Sequence, residues 1–447
     1  MKKNTILIIS DDPRYTSGVG NQCRHICKKL DKNGYDVLVL GVITSQSPKT
    51  IVNHTWDTGE KCRIINHDKF DDMSVVMKLI DSENPSCMVL FTDPHRFYNI
   101  FASASFIREK LPIYFVHVWD TYLVAQKKDG RFHYNLPLYE SVDGIGCISK
   151  QTEWFVNETF KKSIYAEKRP LVHYVGHGSD PLVYRPLTPF ESQDLKKALF
   201  KGRDFEFIVS MINRNQGRKK FPDLMEAWSL FMDSLSSEEK NKCALLLHTE
   251  PVSPHGTNLF EVGAAIAPEC NIYYSTDRYN EDGLNQLLNI SDVVVNISNA
   301  EGFGLCGHEA MLAGRATIQN ATGGLVDQIG FFDNGIPISW TPENKKRLKE
   351  FSYGLWSKPV FPNRTIIGTP VTPYLYDENA NIDDVAEAIR YWYDMGKNER
   401  NRRGLLGRDW CENRGLTNRN FASNVLQGIE QTLENFKPVN LFNMHLS

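Results

Sequence analysis

Short runs of apolar residues alternate along the chain with longer stretches that mix apolar and polar positions. In the first half, the apolar runs cover residues 5–9, 37–40, 88–91, 113–116, 144–148 and 172–175. Continuous apolar runs of this length are typical of strands that are buried on both faces of a parallel sheet. Between the first two runs, residues 21–30 have apolar positions at helical spacing. The chain therefore opens as strand, loop, helix and strand, which predicts a right-handed parallel unit.

The same pattern starts again in the second half of the chain. Apolar runs cover residues 205–211, 244–249, 272–275, 292–297 and 316–319, and helical patterns begin near Phe221 and Leu305 and cover residues 383–393, 398–411 and 416–436. A proline-bearing stretch around residues 175–189 separates the two series and predicts a linker. Residues 331–377 are irregular and rich in proline and aromatic residues, which predicts a packed loop. We expect one domain in residues 1–188, a second in 189–415, and a terminal helix in 416–447.

Length agrees with this division, and the net charge means that any contact with nucleic acid has to come from local patches. The 447 residues are enough for two domains of about 200 residues each. The net charge of −3 creates no overall field that would attract nucleic acid or an anionic membrane. No signal peptide precedes the first apolar run, and no run approaches the ~20 residues of a membrane span. We therefore expect no integral membrane segment.

The cysteines indicate a reducing compartment. There are nine of them, an odd number, and no two have the spacing C-x-x-C. Most lie within apolar runs, where a thiol packs as a small apolar group. This usage predicts free thiols and a cytoplasmic location.

The stretch NAEGFGLCGHEAMLAGRATIQNATGGLVD, residues 299–327, carries the most specific chemistry in the sequence. Glu301 follows a buried strand, and Gly302 to Gly304 form a turn that leads into a predicted helix. A glycine turn at a helix N-terminus presents free N–H groups and a positive dipole end, which suits a phosphate or diphosphate. Glu309 lies in this helix, and Gly323 and Gly324 form a second such turn.

The motifs EGFGLCGHEAMLAG and NATGG resemble the Glu-x7-Glu region of the retaining, nucleotide-sugar-dependent glycosyltransferases that have the GT-B fold, and in particular the family 4-like members. Cys306 departs from the pattern, since proline is common at that position. The resemblance implies an α/β fold with two Rossmann-like, doubly wound domains that face a cleft. It also implies a C-terminal helix that crosses back to the first domain.

The resemblance assigns donor-binding roles to the two glycine turns and both glutamates. It implies that Glu301 holds the sugar hydroxyls and that Glu309 binds the nucleotide ribose. The N–H groups of Gly304 and Leu305 would hold the sugar and the phosphates, together with the turn of Gly323 and Gly324, and Phe303 is a further donor-binding candidate.

A basic loop follows the first strand of the second series. The family has an arginine and, five residues later, a lysine at this place, and Arg214 and Lys219 match that spacing. Two fixed cations stabilise the charge that accumulates on a departing nucleoside diphosphate. We expect Arg218 and Lys220 to be solvated neighbours.

Two candidates in the first half have a structural alternative. Gly18 and Gly20 give only a partial G-x-G; the family has a glycine loop here near the donor phosphates, and a plain strand-to-helix turn is an equal alternative. His117 ends a predicted strand, where ligand-binding residues of α/β sheets lie. The family has a histidine there that approaches the donor sugar, and the alternative is a histidine bonded to a neighbouring loop.

Acceptor candidates follow two predicted strands of the first half. Asp93 and Arg96 follow one strand, and Trp119 and Asp120 follow the next. Both sets lie at carboxyl ends of strands, so we expect them along one rim of the sheet.

The expected chemistry is a metal-independent, retaining transfer without a cofactor. The sequence contains no Asp-x-Asp, the usual metal-diphosphate ligand pair of the other major glycosyltransferase fold. A nucleoside-diphosphate sugar, expected to be UDP-linked, is the co-substrate. No metal site is expected.

The acceptor is the least determined part of the prediction. The whole chain resembles a bacteriophage-encoded branch of the family, which suggests 5-hydroxymethylcytosine in duplex phage DNA, in the host cytoplasm. Basic and aromatic residues of the first half support this hypothesis, namely Arg96, Lys127, Lys128, Arg131, Phe97, Tyr98, Trp119, Phe132 and Tyr134. The alternatives are a transferase for a cell-envelope glycan or lipid and a non-catalytic module that binds a nucleotide sugar or DNA.

Overall fold

The computed structural model describes residues 4–43, 50–123, 135–161, 169–368 and 374–439. The chain forms two compact units. Of the described residues, the first unit contains those up to Trp119, those within 123–178 and those from Asn418 to Val439. The second unit contains residues 120–122 and 179–417.

An eight-stranded sheet organises the first unit. The strands up to residue 178 are β1 (Thr5–Asp11), β2 (Asp36–Val42), β3 (Ile51–Thr55), β4 (Lys61–His67), β5 (Cys87–Thr92), β6 (Ile113–His117), the two-residue β7 (Tyr122–Leu123) outside this sheet, β8 (Gly144–Cys147) and β9 (Leu171–Tyr174). The spatial order is β3-β4-β2-β1-β5-β6-β8-β9, and all neighbours are parallel except β3 and β4. Strand order reverses between β1 and β5, which confirms the predicted doubly wound sheet.

Helices cover both faces of this sheet. They are α1 (Gly18–Lys32), α2 (Met73–Glu83), α3 (Tyr98–Ala102), α4 (Ala104–Ile107), α5 (Leu136–Glu140) and α6 (Lys150–Phe160). Every residue of β5 and β6 is buried. This explains why the central strands are continuous apolar runs rather than alternating ones.

A six-stranded parallel sheet organises the second unit. Its order is β12-β11-β10-β13-β14-β18. The strands are β10 (Phe207–Ile212), β11 (Cys243–His248), β12 (Ile272–Ser275), β13 (Val293–Asn296), β14 (Ala316–Asn320) and β18 (Ser357–Val360). The helices are α7 (Pro189–Leu199), α8 (Phe221–Asp233), α9 (Ser237–Lys240), α10 (Leu259–Ile266), α11 (Glu281–Ile290), α12 (Leu305–Leu312), α13 (Leu325–Ile329), α14 (Pro342–Lys346), α15 (Ile382–Asp394) and α16 (Lys397–Asn413).

The segment predicted as a packed loop contains regular structure instead. It supplies β15 (Phe331–Asp333), β16 (Ile336–Pro337) and β17 (Ser352–Tyr353) of a small antiparallel sheet, and then β18 of the main sheet. The hairpin of β19 (Asn363–Ile367) and β20 (Leu375–Asn379) follows. Prolines misled the sequence prediction here, because an edge strand tolerates them: Pro359 lies in β18, at the edge of the sheet.

The first unit ends at Gly178, earlier than the boundary expected at residue 188. The proline-bearing stretch after it is not a free linker, because hydrogen bonds attach it to the second unit. Arg408 of α16 donates hydrogen bonds to the carbonyl oxygens of Pro181 and Tyr184 at 3.0 and 2.9 Å. Asn289 of α11 accepts one from the Leu187 amide at 2.8 Å. These contacts fix residues 179–188 to the second unit.

The last helix, α17 (Asn418–Asn435), belongs to the first unit, although it follows the second in sequence. Its Phe421 is buried against Phe91 of β5 and His177, with ring centroids 6.2 and 4.8 Å apart. Asn424 Nδ2 donates to the Val175 carbonyl at 3.1 Å. The predicted return of the terminal helix to the first domain is therefore confirmed.

All nine cysteines are free thiols, and seven of them are buried. Cys23 and Cys27 lie on the buried face of α1. Within the described ranges, no helix has both the length and the apolar character that crossing a bilayer requires.

Candidate functional site

Two loops of the second unit meet where β10 and β13 end. After β10 the chain makes a single turn of 3-10 helix at Gly217–Lys219 and enters α8. After β13 it continues to Glu301 and the glycine turn that precedes α12. The Asn299 amide donates to the Arg218 carbonyl at 3.0 Å and joins the loops. Both strands are parallel neighbours, so their carboxyl ends bring the two predicted motifs together.

Glu301 lies in a compact cluster of charges. Lys219 Nζ is 2.8 Å from Glu301 Oε1 and 2.7 Å from Oε2. Arg218 Nη1 is 2.7 Å from Oε2 and also donates to the Ala300 carbonyl at 2.8 Å. The side chains of Glu301 and Lys219 are 8% and 7% exposed, so this pair is shielded from water, while that of Arg218 is 39% exposed.

The cluster fixes the charge state of Glu301. Burial alone raises the pKa of the carboxyl, but the charges of Lys219 and Arg218 and their hydrogen bonds outweigh it and lower the pKa to about 2. Glu301 is therefore an ionised acceptor-only group at neutral pH. Such a carboxylate accepts hydrogen bonds from hydroxyl groups of a ligand.

Arg218 is part of this cluster, although the sequence predicted it to be a solvated neighbour. The signal that could have found it is its place beside Lys219, on the short turn that faces Glu301. Asp120 also lies here, since its Oδ2 is 3.8 Å from Arg218 Nε. The acceptor candidate Asp120 thus belongs to the second unit's charge cluster.

Arg214 is exposed, and among the described residues it has no hydrogen bond or ion pair. It precedes the buried Asn215, whose side chain accepts from the Thr257 amide and donates to the carbonyls of Glu250, Pro251 and Thr257. The loop is thereby held in place on one side of Arg214. The guanidinium is free to bind an anion.

The two predicted glycine turns pack backbone against backbone. Gly304 and Gly323 have φ of +89° and +51°, which favours glycine. A Cβ at Gly323 would lie 2.0 Å from the Glu301 carbonyl oxygen, and one at Gly324 would lie 2.2 Å from that of Gly302. The Gly324 amide donates to the Glu301 carbonyl at 2.9 Å. Because this hydrogen bond already uses the Gly324 N–H, that N–H does not bind a phosphate, and the expected role of Gly324 is wrong in this respect.

The N-terminus of α12 presents the remaining donors. His308 N donates the first helical bond to the Gly304 carbonyl at 3.3 Å, so the amides of Leu305, Cys306 and Gly307 precede the helical ladder. Gln328 Nε2 binds the carbonyls of Phe303 and Gly304 at 2.6 and 3.0 Å and holds the turn. The ring of Phe303 is buried, so its side chain packs and does not face a ligand.

Glu309, the second glutamate of the motif, has the opposite electrostatic environment. Its Oε1 accepts from Ser179 Oγ at 3.2 Å. Burial, reinforced by the negative charge of Glu281, raises the pKa of this carboxyl to about 8. The two glutamates, which look alike in sequence, therefore have different protonation states near neutral pH.

One polar group of the second unit was missed by sequence reasoning. His248 ends β11, and its Nδ1 lies 3.0 Å from Ser275 Oγ at the end of β12. Its ring packs on Tyr279 at a centroid distance of 5.4 Å. In the sequence, this histidine is marked only by its position at the end of the apolar run ALLLHT, which did not identify it as a site residue.

His117 does not have the exposure that a sugar-binding residue needs. It is completely buried in the first unit, and its Nε2 is 2.9 Å from Tyr139 Oη. Burial lowers the pKa of its imidazole to about 3 and keeps the ring neutral. His117 is therefore a structural histidine, although its partner lies on helix α5 and not in a loop, and we correct its catalytic assignment.

Gly18 and Gly20, the partial G-x-G of the first half, lie in the first turn of helix α1, which Ser17 caps. Gly18 begins α1 and is exposed, and the side chain of Ser17 accepts from the Gly20 amide at 2.9 Å. A Cβ at Gly20 would lie 2.8 Å from the carbonyl oxygens of Asp12 and Tyr15. Gly20 is thus needed for a tight strand-to-helix turn, and only Gly18 faces solvent.

The other acceptor candidates lie along the first unit's strand ends. Asp93 precedes a short 3-10 helix, on which Arg96 is exposed and stacks 5.9 Å from the Phe70 ring centroid. Trp119 is half-buried, and its ring lies 5.9 Å from that of His117. Phe97, proposed to hold a base, is wholly buried in the core and cannot. Lys127, Lys128, Arg131, Phe132 and Tyr134 lie outside the described residues.

Comparisons with known proteins identify the fold. No protein-family model matches the sequence, and no curated protein matches it. Among solved structures, a sucrose-phosphate synthase from Thermosynechococcus elongatus is 15% identical, with a TM-score of 0.67, and the match covers 97% of this chain and 100% of that one. HepE from Anabaena, in complex with UDP-glucose, is 12% identical over 96% and 100% of the two chains, with a TM-score of 0.62.

A third similar structure is a trehalose-6-phosphate synthase from Burkholderia multivorans, 11% identical over 97% and 99% of the two chains, with a TM-score of 0.63. These neighbours are GT-B proteins, and they match both units of the chain. The protein therefore has the GT-B fold. Identities this low carry the fold alone, and the chemistry has to be argued from the site.

Proposed function

We propose that the protein is a retaining glycosyltransferase that moves a sugar from a nucleoside-diphosphate sugar to a hydroxyl group. The observation that carries the proposal is the buried Glu301 carboxylate, kept ionised by Lys219 and Arg218, at the turn before α12. An ionised acceptor beside free helix amides suits a ligand that has both hydroxyls and phosphates. Structures similar in fold contain UDP-glucose, which supports a UDP-linked donor.

Each group has a defined task in this proposal. Glu301 accepts hydrogen bonds from the donor sugar, and the amides of α12 face the diphosphate. Lys219 uses two contacts on Glu301, and its ammonium has a third N–H for a phosphate oxygen. The exposed Arg214 supplies the second cation. Glu309 binds the ribose as a hydrogen-bond donor when it is protonated.

The reaction needs no covalent intermediate with the protein. The bond between the sugar's anomeric carbon and the diphosphate oxygen breaks, and the acceptor oxygen bonds to the same face of that carbon. The departing diphosphate takes the proton of the acceptor hydroxyl. The cations and helix amides stabilise the negative charge that the leaving group acquires. This chemistry takes place in the cytoplasm, in keeping with nine free thiols.

Arg214→Met is the sharpest test of this function, because Arg214 is exposed and its loss leaves the Glu301 cluster intact. We expect the variant to form nucleoside diphosphate from the donor about 10²-fold to 10³-fold more slowly than the wild type does. This is the usual loss in rate when one preorganised group at a reacting centre is removed. The control is Arg402→Met, since exposed Arg402 pairs, within the described part of the chain, with Glu399 alone. Equal rates for the two variants would contradict the assignment.

The proposed acceptor is 5-hydroxymethylcytosine in duplex DNA. Arg96 and Tyr98 are the exposed basic and aromatic side chains that support it in the described residues, and basic side chains bind phosphates. The test incubates the protein and UDP-sugars with hydroxymethylated DNA, unmodified DNA and a glycan or lipid extract. Transfer to the extract alone favours the cell-envelope alternative. UDP binding without transfer to any acceptor favours the non-catalytic alternative.

A further inference from the structure

A second buried charge cluster lies in the second unit, away from Glu301. Glu378 of β20 is 1% exposed. Its carboxylate lies 3.1 Å from Lys345 Nζ and 3.2 Å from Arg364 Nε, and it accepts from Thr322 Oγ1 at 2.5 Å. A carboxylate buried this deeply needs such partners, because desolvation of an unpaired charge is very costly.

The backbone around Glu378 is joined to the two strands that lead into the glycine turns. Its amide donates to the carbonyl of Asn299, two residues before Glu301, at 3.3 Å. The Glu378 carbonyl accepts a hydrogen bond from the side-chain amide of Asn320, whose Nδ2 is 2.7 Å away. The same Asn320 side chain also donates to the Ser298 carbonyl at 2.9 Å. The end of β20 therefore contacts both strand ends that precede the candidate site.

The side-chain contacts reach the second glycine turn directly. Lys345 Nζ donates to the Ala321 carbonyl, and Glu378 holds the Thr322 hydroxyl. The next residue is Gly323, whose Cα lies so close to Glu301 that no side chain fits between them. A movement of Thr322 is therefore transmitted to the backbone of Glu301.

Strand β19, the other strand of the hairpin, also connects Glu378 with the Glu301 cluster. The Arg364 guanidinium is stacked between the rings of Tyr122 and Tyr376, 4.8 and 4.7 Å from their centroids. Tyr122 lies two residues after Asp120, which pairs with Arg218 of the Glu301 cluster. Two separate chains of contacts thus run from Glu378 to Glu301.

We propose that Glu378 is a positioning residue, which sets the place of the Thr322–Gly323 turn and thereby of the Glu301 backbone. The hairpin β19–β20 is then a functional part of the donor site rather than a peripheral insertion. Its effect on nucleotide-sugar binding rests on the proposed function. Its effect on the turn does not depend on any ligand.

Thr322→Val tests the effects of Glu378 on the turn and on nucleotide-sugar binding without disturbing the fold. It removes the hydroxyl that binds Glu378 but leaves the buried pair of Glu378 and Lys345 intact, whereas Glu378→Gln leaves Lys345 unpaired and endangers the fold. Thr322→Ser restores the hydroxyl. Thr365→Val makes the same chemical change at an exposed position of β19, and serves as the control.

Two measurements are made on each variant. In the ligand-free protein, we expect hydrogen exchange of the Gly324 amide to become about tenfold faster in Thr322→Val, because a hydrogen bond to a charged group is lost. In donor titrations, we expect the KM for the nucleotide sugar to rise about tenfold with kcat nearly unchanged, since ground-state and transition-state binding weaken together. Thr322→Ser and Thr365→Val should behave like the wild type.

The outcomes keep this inference distinct from the proposed function. Unchanged Gly324 exchange in Thr322→Val, or the same change in Thr365→Val, overturns the positioning role. Faster exchange together with a raised KM supports it. If the wild-type protein neither binds UDP in calorimetry nor turns over a UDP-sugar, the proposed function fails, and the exchange measurement alone decides the role of Glu378.

Discussion

At the scale of single residues, position in the fold gives two identical side chains opposite properties. Glu301 and Glu309 belong to one sequence motif. Lys219 and Arg218 lower the pKa of Glu301 to about 2, whereas burial near Glu281 raises that of Glu309 to about 8. One glutamate is therefore a fixed anion, and the other titrates close to neutral pH. The spacing of the motif alone does not contain this difference.

The raised pKa of Glu309 predicts a pH dependence of stability. Below its unfolded-state pKa of 4.5, Glu309 is protonated in both states. Between pH 4.5 and about 8, the unfolded state ionises this carboxyl while the folded state keeps it protonated, so stability is lost as the pH rises across that range and levels off above it. Glu309→Gln cannot ionise and should become progressively more stable than the wild type between about pH 5 and about 8. Urea unfolding across this range measures the difference, and a constant difference would contradict the assignment.

Lys219 is predicted to contribute to stability as well as to function. Lys219→Met leaves Glu301 buried and removes its buried ion-pair partner, while the partly exposed Arg218 stays. Breaking a buried ion pair from one side costs about 3–5 kcal/mol of unfolding free energy. The adjacent Lys220→Met, outside the pair, should change it by less than about 1 kcal/mol. Urea unfolding at pH 7 gives the unfolding free energy of both variants. Similar decreases in the two would show that the Lys219–Glu301 pair does not stabilise the fold.

At the scale of elements, the site consists of two turns whose glycines serve close packing as much as ligand binding. The sequence suggested that both turns present bare backbone to a phosphate. The structure instead uses the Gly324 amide to hold the Glu301 carbonyl. At the first turn, the amides of Leu305, Cys306 and Gly307 precede the helical ladder of α12, and the hairpin β19–β20 holds the second turn through Glu378 and Thr322.

Replacement of Gly323 tests this packing. A Cβ at Gly323 would meet the Glu301 carbonyl at 2.0 Å, whereas Gly335 has open space around it, and both have positive φ. The two alanine variants share the backbone strain, so their difference isolates the contact. We expect Gly323→Ala to be less stable than Gly335→Ala by about 1–3 kcal/mol, the usual cost of overpacking. Thermal unfolding of the pair provides the comparison, and equal melting temperatures would refute close packing.

At the scale of the whole molecule, the chain leaves the first unit at Gly178 and returns to it at Asn418. The terminal helix α17 completes the first unit's core through Phe421, Val425 and Ile429, all buried. A helix so remote in sequence can join only after the second unit has been synthesised. The first unit therefore depends on the end of the chain for its stability.

Phe421→Ala should weaken the first unit selectively. Loss of a buried phenylalanine costs about 3–5 kcal/mol. We expect faster amide exchange in β5 and β6 and unchanged exchange in β10 and β11. Phe190→Ala is the matched control, because Phe190 is 85% exposed. Faster exchange in β10 and β11 of the Phe421 variant would show that α17 stabilises the second unit instead.

Local patterns predicted most of the fold and the centre of the site. Runs such as residues 113–116 become fully buried parallel strands because a strand covered on both faces must be apolar throughout. The glycine turn before Leu305 was equally clear, since α12 starts there. The prediction failed for the segment after residue 331, because its strands have only two to five residues and two of them, β16 and β18, contain prolines that a local pattern assigns to loops.

The sequence by itself determined two parallel α/β series, a glycine turn at the start of α12 and a pair of glutamates beside a basic loop. These features depend on side-chain period and backbone freedom, which are local properties. Only the tertiary structure decided that Arg218 joins Lys219 on Glu301, that His117 is sealed in the core, and that Glu378 reaches the second turn. Those outcomes depend on which distant strand ends are neighbours and how much water they exclude, and no stretch of sequence carries that information alone.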